Sequence, residues 1–66
     1  MERYRNIGGN SNVKEYELGA SFIKVRFNDS YTIYVYDSFK PGHSHVERMK
    51  LLAVKGQGLN SYINEY

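Results

Sequence analysis

His43 and His45 stand two positions apart at the start of an amphipathic stretch, with Asp37 and Glu47 as the nearest acids. Two imidazoles at this spacing supply half of a zinc site. A structural zinc takes four ligands, however, and the chain has no cysteine. Two solvent-facing histidines at a helix entrance account for the pair better, and no metal is expected. Ser44 beside His45 has nucleophile-and-base chemistry, but no third group is placed to orient the imidazole. Glu15 and Glu17 have the form of paired carboxylates and read as the solvated side of a strand. Gly56-Gln57-Gly58 is too short for a phosphate loop and follows a helical stretch where such a loop would precede one. No constellation joins nucleophile, base and orienter, so the chain is expected not to be an enzyme, and no cofactor is implied.

Binding chemistry is better represented. Tyrosine occurs seven times, phenylalanine three times and tryptophan never. Tyrosine pairs a large apolar ring with a polar tip, which suits both cores and recognition surfaces. Lys24, Arg26, Tyr34 and Tyr36 fall in adjacent strand-forming segments, and Arg3, Tyr4 and Arg5 repeat the basic-aromatic mixture near the start of the chain. Rings that stack and cations that meet phosphate bind single-stranded nucleic acid; Tyr and Arg also dominate protein-binding hot spots. Asn60, between Leu59 and Ile63, is expected to bond loop backbone at a helix junction, with contact to a ligand as a second role. Nine Lys and Arg against seven Asp and Glu leave a net charge of +2. The cations are scattered, whereas strong nucleic-acid binders cluster theirs.

These side chains need elements to hold them. Residues 1–10 have no periodicity and contain Gly8-Gly9-Asn10, so they read as a flexible N-terminal arm. Val13 to Leu18 alternates, with Tyr16 and Leu18 facing in. Ser21 to Phe27 is the clearest strand, with Ile23, Val25 and Phe27 on one face. Tyr31 to Tyr36 is rich in β-formers. A three-residue loop, Asn28 to Ser30, pairs Phe27 with Tyr31 and Val25 with Ile33. That register places Ile23, Val25, Phe27, Tyr31, Ile33 and Val35 on one apolar face. Lys24, Arg26, Thr32, Tyr34 and Tyr36 then share the other face. Pro41-Gly42 breaks the chain, and a helix follows with Ser44 and Glu47 as a capping box. Val46, Met49, Leu52 and Ala53 form its apolar stripe, and Gly56 is its C-cap. Leu59, Tyr62, Ile63 and Tyr66 lie on one side of a short second helix.

Size bounds what these elements can be. With 66 residues the chain is one domain at most, and a domain this small buries only about 60% of its unfolded surface. The absence of cysteine removes the disulfide staple, so a homodimer or another partner is the expected further source of stability. No apolar run reaches the roughly 18 residues of a membrane span, and no signal peptide is read at the start, so a cytoplasmic protein without membrane contact is expected.

Taken in order, Ser11-Asn12-Val13, Ile23-x-Val25-x-Phe27, Tyr34-Val35-Tyr36, Leu51-Leu52-Ala53 and Gly56-x-x-Leu59-Asn60-x-x-Ile63 resemble the KTSC domain. This module of about 60 residues is named after the C-terminus of some lysyl-tRNA synthetases and also occurs as a stand-alone bacterial and phage protein. The resemblance runs from Ser11 to Tyr66. Asp37-Ser38-Phe39-Lys40-Pro41 stands where the family has a shorter Asp-Val-Pro, and an ungapped alignment puts the family's Tyr-x-Tyr on Ile33 and Val35. The family's suggested role, RNA binding, is what the resemblance implies; it brings no catalytic residues. The expected architecture is α+β: a three-stranded antiparallel meander over residues 11–66, packed against one α-helix and a short C-terminal helix. The expected function is protein–protein binding through the Tyr/Arg/Lys face, with inhibition of a host defence protein by a phage or mobile element as its sharpest form. RNA or single-stranded nucleic-acid binding is the alternative.

Overall fold

Alternating β-formers from Val13 to Asp37 build three strands in succession, and a fourth precedes them. In the computed structural model these are β1 (Glu2–Arg3), β2 (Val13–Leu18), β3 (Phe22–Phe27) and β4 (Ile33–Asp37). Helices α1 (His43–Lys55) and α2 (Leu59–Glu65) follow. The structure describes residues 1–9 and 11–65; Asn10, in the expected loop, and Tyr66, on the expected stripe of the second helix, lie outside them. The strands form one antiparallel sheet in the order β1-β2-β3-β4. The α+β class is as expected, but the meander has four strands where three were expected, and the additional one comes from the supposed arm.

That arm is tied at several points. Glu2 and Arg3 pair with Tyr16 and Glu15. Tyr4 is 3% exposed, and its ring meets Tyr16 edge-on at 6.5 Å between centroids. The Leu59 N–H donates to the Tyr4 hydroxyl at 3.2 Å. The Ile7 N–H donates to the Gly56 carbonyl, and the Arg5 guanidinium donates to the carbonyls of Val54 and Lys55. A buried aromatic outweighs the polar residues around it, which is why the lack of periodicity misled.

Two irregularities set the faces of the sheet. A β-bulge between Val13 and Glu15 brings both Val13 (2% exposed) and Tyr16 (9%) to the inner face; Leu18, opposite Ile23, shares that face as expected but is partly exposed at the strand end. An extra residue opposite a single partner is how a bulge changes side-chain parity. At the β3–β4 turn the Ser30 N–H bonds the Phe27 carbonyl, and the Ser30 hydroxyl accepts the Thr32 N–H. Tyr31 is thereby carried out of the ladder and stands 94% exposed. The pairing is Val25 with Tyr34 and Ile23 with Tyr36, one step from the expected register. Tyr34 and Tyr36 therefore share the inner face with Val25 and Ile23. Ile33 and Val35 share the outer face with Arg26 and Lys24.

Helix α1 lies on the inner face with Val46, Met49 and Ala53 buried. Its N-cap is Gly42 without a side-chain cap bond, so the expected Ser44–Glu47 capping box does not form. Ser44 sits inside the helix and Glu47 pairs with Lys50 at 3.0 Å. Gly56 ends the helix as expected: its φ of 78° is left-handed, and its N–H closes on Leu52 and Ala53. Leu59 of α2 is fully buried, and Tyr62 and Ile63 pack against the same core. His45 reaches Tyr62, with Nδ1 2.7 Å from the hydroxyl, so it is not a solvent-facing histidine.

Candidate binding surface

The shifted register divides the residues expected to form one Tyr/Arg/Lys face. Lys24 and Arg26 remain on the outer face of β3, each beside an acid of β2. Lys24 Nζ is 3.8 Å from Glu17 and lies 5.6 Å above the Phe22 ring; Arg26 is in direct contact with Glu15. Arg3 lies across from Glu15 on the far side of β2. Arg5 caps the last carbonyls of α1, where a cation also complements the helix dipole. Tyr4 is core. The Arg3-Tyr4-Arg5 segment is thus a structural clasp, and the expected basic-aromatic face is not assembled.

The inner face gathers other residues. Phe27 and Tyr34 meet edge-on at 5.6 Å where α1 does not cover the sheet. Across from them α2 presents Asn60 and Asn64, and Asn12 closes the third side. The result is a shallow, open cup with an aromatic wall and amide rims. Asp29, its one charged member among the described residues, accepts a hydrogen bond from the Asn12 amide at 3.2 Å. No Lys or Arg lines the cup. Asn60 is half-buried, and the expected bond from its side chain to loop backbone is not made among the described residues. Asn60 also lines a second depression, with Tyr4, Asn6, Ser11 and Gly58, beside the α1–α2 junction.

Tyr36 opens into a neighbouring apolar cavity with Pro41, Met49, Tyr62 and Ile63, and Lys40 at the rim. Burial pushes the Tyr36 phenol above its ordinary 10.0, and the nearby Tyr34 adds to the shift. Of the residues expected to bind, the structure brings Tyr34 and Asn60 into one cavity and Tyr36 next to it. Phe27, Asn12 and Asn64 were missed. Phe27 was placed in the core by its alternation, and nothing local marks the two asparagines.

Among the described residues no three His, Cys, Asp or Glu side chains are placed to hold a metal, and no helix is long and apolar enough to cross a membrane. A scan against protein-family models and searches of curated proteins and of solved structures returned no match to the chain.

Proposed function

We propose that this chain is a non-enzymatic protein-binding module whose recognition site is the cup between the β3–β4 hairpin and α2. The observation that carries the reading is the meeting of Tyr34 and Asn60 with Phe27 in a cavity free of Lys and Arg. Amide groups donate to and accept from a peptide backbone, and an aromatic pair offers an apolar wall for a side chain. Nucleic acid would need cations beside the stacking rings. Here Lys24 and Arg26 lie on the opposite sheet face and are matched by Glu17 and Glu15. Occlusion of a partner needs no chemistry, in keeping with an inhibitor of a host protein. The KTSC resemblance belongs to the proposal, with the family's Tyr-x-Tyr falling on Tyr34 and Tyr36 or on Ile33 and Val35.

The test is capture from nuclease-treated lysate by the wild-type chain, Tyr34→Ala/Asn60→Ala and Lys24→Ala/Arg26→Ala. The expected result is a protein partner held by the wild type and by Lys24→Ala/Arg26→Ala but lost from Tyr34→Ala/Asn60→Ala, with unchanged far-UV circular dichroism. A signal that vanishes with nuclease, or that depends on Lys24 and Arg26, replaces this reading with the nucleic-acid one.

A further inference from the structure

The two edges of the sheet are unlike. β1 is two residues long and both are charged, Glu2 and Arg3, which is how a sheet edge is kept from pairing. β4, at the other edge, is guarded only at its end, where Asp37 is charged and its outward backbone is covered by the Lys40–Gly42 loop. From Ile33 to Tyr36 it carries no charge, no proline and no bulge. Ile33 is 49% exposed and Val35 53%.

The direction of the unpaired backbone groups follows from the ends of the ladder. The Asp37 N–H donates to the Lys40 carbonyl and the Asp37 carbonyl accepts from Gly42, so the Asp37 backbone points away from β3. Its partner Phe22 bonds in the opposite direction, through its carbonyl to the Gly19 N–H. Antiparallel pairs alternate, so Val35 and Ile33 also point their N–H and C=O groups at the open edge, while Tyr34 and Tyr36 bond inward to β3.

We propose that β4 pairs with β4 of a second copy of this chain, antiparallel about a two-fold axis through Tyr34. In that register Ile33 faces the partner's Val35, and Val35 the partner's Ile33. Every outward N–H of Ile33 and Val35 then meets an outward C=O. The same strand serves both sides, as an isologous contact requires. No charge opposes its like along the seam, because the cations beside it, Arg26 and Lys24, are neutralised by Glu15 and Glu17. The charged, two-residue β1 edge offers β4 no comparable partner, so the assembly closes at two copies. On the inner side Tyr34 comes opposite the partner's Tyr34, and the two aromatic cups adjoin. A second chain is the occupant favoured over a foreign strand because the exposed groups and the apolar outer residues complement themselves.

Sedimentation velocity over a wide concentration range reads the mass directly. The wild type is expected to rise from 7.7 kDa to twice that value. Ile33→Glu/Val35→Glu sets carboxylates against Arg26 and Lys24 within the chain but against each other across the seam. It should fold normally by circular dichroism and weaken the dimer at least tenfold. Because the chain lacks cysteine, Tyr34→Cys places the sole thiol on the axis. Non-hydrogen-bonded partners there have Cα atoms about 4.5 Å apart, within disulfide reach. Tyr34→Cys should cross-link under mild oxidation and Thr32→Cys should not. A wild type that stays at 7.7 kDa leaves the edge to another protein and overturns the proposal. So does a dimer that survives Ile33→Glu/Val35→Glu, or cross-linking through Thr32→Cys in preference to Tyr34→Cys.

Discussion

Replacing Tyr4 by Phe removes a single oxygen, and the structure says what that oxygen does. Tyr4 is 3% exposed, Leu59 is fully buried, and the Leu59 N–H opens α2, where no intrahelical carbonyl can accept it. The Tyr4 hydroxyl accepts that N–H at 3.2 Å. Without it a buried donor is left unmet, at about 1–3 kcal/mol. A domain of 66 residues has a total stability of roughly 3–10 kcal/mol. The loss is therefore a sizeable fraction, and at about 4–8 °C per kcal/mol it lowers the melting temperature by some 5–20 °C. Tyr4→Ala adds a cavity against Tyr16 and should cost about 3–5 kcal/mol, close to the whole. Urea unfolding followed by far-UV circular dichroism reads both variants, with an unchanged slope confirming that only stability moved. If Tyr4→Phe unfolds at the wild-type midpoint and Tyr4→Ala loses under about 1 kcal/mol, residues 2–7 are not part of the folded domain.

Gly56→Ala forces a side chain into the left-handed region and sets its Cβ 2.8 Å from Arg5 Cβ; a stability loss of about 1–3 kcal/mol in the same urea assay is expected. Glu15→Leu leaves the Arg26 guanidinium half-buried without its acid and should cost about 1–2 kcal/mol. Adding Arg26→Leu should recover most of that, since it also removes an unpartnered buried Nε; a double variant no better than the single one refutes this account. Burial, then Tyr34, raises the folded-state pKa of Tyr36 above 10.0. Its contribution is thus complete below pH 10.0 and is lost as pH rises through the raised value. Urea midpoints should fall more steeply with alkaline pH in the wild type than in Tyr36→Phe, and parallel profiles would show that Tyr36 ionises as freely folded as unfolded.

Strands and helices were readable because each leaves a local signature. Ile23, Val25 and Phe27 alternate, Val46, Met49 and Ala53 keep the helical period, and Gly56 sits where a left-handed residue must end the helix. The residues of the cup were readable as types but not as a constellation. The turn makes the difference: with Ser30 bonded to Phe27 and Thr32, Tyr31 stands outside the ladder, and every side chain of β4 is on the face opposite to the expected one. Alternation favoured Ile33 and Val35 inside because it counts apolar residues. The inner face instead takes Tyr34, which meets the Phe27 ring edge-on and stays 45% exposed, and Tyr36, which packs against the core. The bulge near Lys14 and the docking of Tyr4 were equally hidden. The first depends on a single inserted residue, and the second on a partner 55 positions away.

The clasp between residues 4–7 and the α1–α2 junction has a kinetic consequence. It joins segments about 50 residues apart, whereas β2, β3 and β4 meet through short turns. Closing so long a loop carries the largest entropy, so hairpins and α1 should assemble first and the clasp last. In the native state the same order runs backwards: β1 peels from β2 in an opening smaller than global unfolding. The Leu59 amide, held by a hydroxyl from the far end of the chain, would exchange its hydrogen in step with that opening, while the amide of Val25 in central β3 waits for the whole domain to come apart.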